Sequence, residues 1–344
     1  MKSTDRIAGI VALAILISGA AFAGAGNRTG TNGASELLIP VGARAIAMAG
    51  TSISTGKGVE ALYWNPAAVG RMANAASVYV SHMTYLADLG VNYAAVAANF
   101  QDVGVLSVSV KSISIGDIPV TTNTDPDGTG QVFTPQFFTV GLSYSRQLSD
   151  RIAVGLTANL ITEDMGNVNA TGVGFDVGVL YDNLGGLNGL SIGVVVHNIG
   201  PQMQFDGSGM LVLADVGGYQ RPAQFYEIQA APFELPTSIE FGLGYRAGID
   251  ALNSIQFAGI FQSNNFSDDE YRLGAEYSFQ DIVFLRGGYA MSQAANDAEQ
   301  YIFGPSFGGG VRMSLGSVEA RLDYAYRSTE FFDGNHVLAL TLGF

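Results

Sequence analysis

The sequence predicts an all-β protein, a transmembrane antiparallel β-barrel of about fourteen strands, and three observations carry that prediction. Charged residues make up only 13% of the 344-residue chain against 48% hydrophobic residues, about half the charge that an ordinary solvated surface carries. From residue 76 onward, segments of about ten residues alternate apolar and polar side chains and are separated by turn residues. The polar face of these segments is mostly Gly, Ala, Ser and Thr with isolated Arg and Glu. Such a face suits a crowded lumen, whereas a water-facing one would carry many Lys and Glu.

Residues 1–23 read as a secretory signal peptide: Lys2 and Arg6 supply a basic start, residues 7–17 are apolar, and "AFA" at 21–23 fits a cleavage site. The apolar run is too short for a transmembrane helix, so the mature chain is expected to leave the cytoplasm. Residues 24–75 show no alternation and contain two helical-looking pieces. "VGARAIAMAG" ends in Gly50, a suitable residue for the left-handed position after a helix. In "YWNPAAVG", Asn65 is an N-cap, Pro66 fits the first helical position, and Gly70 can end the turn. Trp64, the only tryptophan, has two readings: a hydrophobic staple that sets the entry angle, or an interfacial aromatic at the barrel rim.

Residues 76–344 form the barrel, with strands near 76–86, 90–100, 103–113, 137–147, 151–161, 172–182, 190–199, 237–247, 254–263, 271–279, 283–291, 303–314, 318–327 and 336–344. An even count is what single-chain bacterial outer-membrane barrels have. In "TSIEFGLGYR", Ile239, Phe241, Leu243 and Tyr245 share one face and Glu240 and Arg246 the other. In "HVLALTLGF", Leu338, Leu340, Leu342 and Phe344 form the apolar face. Short links such as "QD", "LSD" and "GS" fall at one end, and the long connections 114–136 and 200–236 both fall at the opposite end. That is the pattern of short periplasmic turns and longer outer loops. "NTDPDGTGQ" in the first long loop lacks the EF-hand spacing and reads as a turn.

The formal net charge of −14 argues against nucleic acid, whose phosphates require a basic face. With no cysteine, disulfide and thiol chemistry are excluded. His82, His197 and His336 sit on separate strands with no neighbouring ligand spacing in sequence, "GKG" at 56–58 lacks the rest of a P-loop, and no G-x-S-x-G occurs. No catalytic residue, metal site or cofactor is therefore predicted, and the chain is expected not to be an enzyme. The second half places Glu240, Arg246, Arg272, Glu276, Arg286, Arg312, Glu319, Arg321 and Asp323 at inward positions. They read either as ion pairs that hold a packed interior or as a charged path for a solute; the abundance of lumen glycine points to a filled interior.

"LLIPVGARAIAMAGTSIS" followed by "VEALYWNPAAVGRM" resembles the N-terminal signature of the PorV/PorQ family, relatives of the FadL-type fourteen-stranded outer-membrane barrels. "HNIGPQMQF" at 197–205 resembles that family's N-x-G-P segment. The resemblance implies that residues 24–75 fold into the lumen as a small helical hatch. Its motif residues are Gly42, Ala43, Arg44, Ala45, Trp64, Asn65 and Pro66, with Arg44 able to pair with an inward Glu. Phe344 would serve as the C-terminal signal read by the barrel assembly machinery. The resemblance further implies a bacterial outer-membrane location, with membrane lipid, the type IX translocon and secreted cargo as partners through loops 114–136 and 200–236. The implied role is a non-enzymatic carrier in type IX protein secretion. The alternative is a hatch-gated channel for uptake of hydrophobic small molecules; an outer-membrane hydrolase stands third.

Overall fold

The computed structural model describes residues 32–215, 223–292 and 301–344; the expected signal peptide lies outside the described residues. Fourteen long strands close into one antiparallel ring. They are β1 (Ala76–Thr84), β2 (Gly90–Asn99), β3 (Val105–Ser114), β4 (Gln136–Gln147), β5 (Ile152–Asp164), β6 (Asn169–Asp182), β7 (Leu190–Ile199), β8 (Ser238–Gly248), β9 (Asn253–Asn264), β10 (Glu270–Phe279), β11 (Val283–Ser292), β12 (Phe303–Leu315), β13 (Val318–Thr329) and β14 (Asn335–Gly343). Each pairs with its sequence neighbour, and β1 pairs with β14 with Val80 opposite Leu340. Closure leaves no open edge, so backbone N–H and C=O groups are satisfied without water.

The alternation read from the sequence becomes two faces. Along β5, Thr157, Asn159, Ile161 and Glu163 are buried inside while Leu156 and Leu160 point outward. Outside, Leu142, Phe241, Leu273, Leu285, Phe307 and Leu338 belong to a continuous exposed apolar band. That band far exceeds the apolar patches a soluble monomer tolerates, and lipid is the solvent that matches it. No described helix is long and apolar enough to cross a membrane; the strands make the crossing.

Strands β4, β5 and β6 run to 12, 13 and 14 residues, longer than the sequence pattern predicts, because the ladder continues beyond the apolar band into the outer loops. Both long connections carry small hairpins of their own: Ile118–Pro119 pairs with Val132–Phe133, and Leu211–Ala214 with Gln224–Glu227.

Residues 32–75 enter at the long-loop end, fill the lumen and leave at the short-turn end. They comprise 3-10 turns Ser35–Leu38, Val59–Ala61 and Pro66–Arg71 and one short helix, α1 (Ala43–Ala47). The structure corrects two details of the capping. Ala49 takes the left-handed C′ place after α1 with φ +55°, and Gly50, also at positive φ (+83°), stands one place beyond it. Gly50 follows it and donates its N–H to Ala45 O at 2.7 Å, while Ala49 N–H reaches Ile46 O at 3.0 Å, a Schellman closure one residue earlier than the glycine suggests. The second turn runs through Gly70 to Arg71. Gly70 does not end it; a Cβ there would sit 3.3 Å from the Arg146 backbone of β4.

Candidate functional site

The interface between residues 32–75 and the wall begins at "WNP". Asn65, fully buried, accepts the Ala67 N–H at 2.9 Å through Oδ1 and donates through Nδ2 to Ile53 O at 2.7 Å. It thus caps one turn and ties it to the preceding loop. Ser145 of β4 donates to Pro66 O at 2.5 Å. Trp64 is 5% exposed, donates Nε1–H to Val41 O at 3.0 Å and packs on Ala45, Ile53, Val195 and Ile260. The interfacial reading is thereby overturned: the indole lies deep in the lumen, where its polar edge finds an acceptor.

The wall approaches this segment through inward glycines. A Cβ on Gly178 would lie 2.1 Å from Asn65 Oδ1, and one on Gly155 would lie 2.4 Å from Ala67 N. Across the lumen, a Cβ on Gly288 would meet the Met48 carbonyl carbon at 2.4 Å. Small inward residues therefore make room for backbone against backbone.

Ionic side chains complete the junction. Arg44 Nη1 meets Glu60 Oε1 at 2.9 Å, and its Nε and Nη2 meet the Glu276 carboxylate at 2.9 and 3.1 Å. Arg286 Nε reaches Glu276 at 2.6 Å and its Nη1 reaches Asp323 at 2.6 Å. Arg321 Nε reaches Asp323 at 2.7 Å and also pairs with Glu60. Three guanidiniums and three carboxylates balance inside the lumen, with Arg286 and Asp323 at 0% and 1% side-chain exposure. Desolvation offsets much of the Coulomb gain in such a network, so its main effect is to fix one arrangement, and removing one member leaves an uncompensated buried charge. Arg44, expected to pair with an inward Glu, pairs with Glu276 on β10.

The other inward charges separate by depth. Glu240 and Arg272 line a cavity of about 270 Å³ on the long-loop side of residues 35–64, with Arg272 paired to Glu270 at 2.9 Å and bonded to Gln262. Arg246, Arg312 and Glu319 sit at the short-turn mouth, paired as Arg246–Asp281 at 2.7 Å and Arg312–Glu319 at 2.9 Å.

In and around the outer cavity lie residues to which the sequence reading gives no role. Lys111 on β3 donates Nζ to Glu36 O at 2.7 Å and to Ile39 O at 2.6 Å. Its inward place in "VLSVSVKSIS", as one of only three lysines, is a signal that could have found it. His197 has Asp176 at 3.3 Å from Nδ1 and Glu240 at 3.9 Å from Nε2. Spacing in sequence shows no carboxylate near this histidine; the fold supplies two, from β6 and β8. Asp176 also accepts the Asn198 N–H at 2.8 Å, where Asn198 takes φ +57° and the β6–β7 register slips. That left-handed bulge is the structural content of "HNIGP". The guanidinium of Arg327 stacks 3.8 Å above the Phe303 ring. Glu36, in the first turn of the segment, has its carboxyl pushed up to about 8 by burial and, next, by the neighbouring Glu163. Among the described residues no group of His, Asp or Glu side chains is arranged to hold a metal ion.

At the outer surface the second hairpin holds Leu213 opposite Phe225, with Phe225 71% exposed. Val132 and Phe133 of the first hairpin are exposed as well.

With this geometry in place, a family model described as "Type IX secretion system protein PorV" matches residues 22–213. A search of curated proteins gives no match. Among solved structures, the chain is similar to the Pseudomonas putida toluene transporter TodX, with TM-score 0.55 at 13% identity over 88% of this chain and 97% of that one. It is similar to the CymD monoaromatic hydrocarbon channel, with TM-score 0.51 at 13% identity over 89% and 97%. A Pseudomonas aeruginosa FadL homologue gives TM-score 0.50 at 12% identity over 88% and 98%. At these identities the likeness is one of fold.

Proposed function

The chain belongs to the PorV family of type IX secretion system proteins and is a β-barrel of the bacterial outer membrane; on that premise we propose that it works as a non-enzymatic carrier for secreted proteins at the cell surface. The observation that carries this reading is the contrast between lumen and surface. The lumen is closed by backbone packed on wall glycines and by a charge-balanced network, so a polypeptide has no route through the barrel. The outer loops, by contrast, present apolar side chains to water at Leu213, Phe225 and Val132. Exposed apolar hairpins are disposed for strand addition or for burial against a partner. The partners of this reading are the type IX translocon and folded cargo, engaged by loops 114–136 and 200–236.

A photo-cross-linking residue placed at Phe225 or Val132 in producing cells tests it. Adducts with a translocon component or a secreted protein are expected. The same lipid-only products as those from a probe at lipid-facing Leu285 would count against it.

A second reading, uptake of a hydrophobic small molecule, is favoured by the outer cavity of about 270 Å³ with Tyr63, Tyr85, Tyr93 and Phe303 in its walls. It requires movement of residues 35–64, and a radiolabelled aromatic hydrocarbon should then enter proteoliposomes.

A further inference from the structure

At the short-turn mouth, a second cavity of about 290 Å³ lies between residues 57–74 and the inner ends of the strands from β8 around to β1. Six basic side chains line it against four acidic ones, and with the Asp182 carboxylate that Arg71 reaches counted in, one positive charge is left in excess on a chain whose net charge is −14. Arg246 and Arg312 each have one carboxylate, and Arg71 pairs with Asp182. Lys57 makes no ion pair among the described residues, and its charged surroundings are Arg246, Arg44 and Arg71 against Asp182. Gln256 of β9, 6% exposed, lines the same cavity with its Nε2 donor unpartnered, and Thr341 Oγ1 of β14 is also buried without a partner. Buried donors are ordinarily satisfied, so an unspent amide N–H facing a cationic cavity marks the place of a missing acceptor.

We propose that this inner mouth binds a small phosphate-bearing anion, held by Lys57 and Arg71 from the plug and by Arg246, Gln256 and Arg312 from the wall. The donors come from the plug on one side and from three strands on the other. That three-dimensional spread suits a tetrahedral oxyanion, whereas a planar carboxylate is served by one bidentate fork. The cavity is at the small end of ligand pockets, large enough for phosphate or the phosphodiester group of a lipid head. Desolvation in the mouth, followed by repulsion from Arg246, lowers the Lys57 ammonium from its usual value, and a bound anion relieves that repulsion. The bound anion would tie the inner end of the plug to β8, β9 and β12.

The test uses the full chain in phosphate-free detergent buffer, with inorganic phosphate titrated calorimetrically, and repeats the titration in nanodiscs containing phosphatidylglycerol. Saturable one-to-one binding that persists in the nanodiscs identifies a free anion. Binding in detergent that phosphatidylglycerol displaces identifies a lipid headgroup, and either result supports the site. The double variant Lys57→Gln with Gln256→Leu should bind about tenfold more weakly, the scale of one or two charge-assisted hydrogen bonds. Glu319→Gln, which removes a lining carboxylate, should bind more tightly, and the opposite signs separate anion binding from misfolding. No saturable binding to the unmodified chain, or equal binding by the double variant with unchanged heat-modifiable migration, overturns the proposal.

Discussion

Asn65 concentrates several tasks in one buried side chain: its amide caps the turn at Ala67 and holds the Ile53 carbonyl. Asn65→Ala should cost about 1 kcal/mol through the cap and a further ~1–3 kcal/mol through the stranded carbonyl. Hydrogen exchange at the Ala67 amide, which Asn65 Oδ1 accepts, reads the lost cap directly, and unchanged protection there would contradict it. Glu36 gives a pH dependence with a defined sign. The folded state retains its proton up to about pH 8, against the ordinary value of 4.5. The stability it contributes is therefore complete below about pH 4.5 and is lost as pH rises through about 8. Protection factors at residues 35–39, which divide out the intrinsic base-catalysed rate, should be lower at pH 9 than at pH 5, and Glu36→Gln should flatten the difference. The cap role of Asn65 was legible in "WNP" because capping is local chemistry. The positions of Trp64, His197 and Glu36 were not, since each depends on side chains contributed from across the barrel.

Strands were the most legible elements because period-2 alternation records both faces of a wall at once; their number and order follow from the sequence. Strand ends were less so, as with β4 to β6, where the ladder outlasts the apolar band. The turn after α1 closes on Ala49 because the adjacent Gly50 serves the Schellman bond instead, a choice that composition cannot resolve. The inward glycines are the clearest link from element to plug. Gly178→Val places a side chain where Asn65 Oδ1 stands and should expel the 65–71 turn, exposing residues 53–71 to added protease. Gly287→Ala, whose Cβ would have its nearest neighbour at an ordinary 3.8 Å, should leave protection unchanged. Arg44→Met should destabilise the junction by about 3 kcal/mol or more, the cost of orphaning buried carboxylates, seen as increased exchange at residues 43–61. Equal behaviour of Gly178→Val and Gly287→Ala would disprove tight docking of the plug.

At the scale of the whole molecule, a lipid-facing apolar shell encloses a plugged lumen and carries two small hairpins with exposed apolar side chains at the long-loop end. A lumen filled by glycine-docked backbone and balanced charge has little conducting space, which turns attention to the outer surface as the working face. The most direct measurement is cargo export from cells in which this chain is replaced by a Leu213→Asp, Phe225→Asp variant. Both substitutions lie on the exposed hairpin, away from barrel and plug. The account predicts that the variant reaches the outer membrane with normal heat-modifiable migration while type IX cargo fails to appear at the cell surface. Normal cargo export by that variant would contradict it.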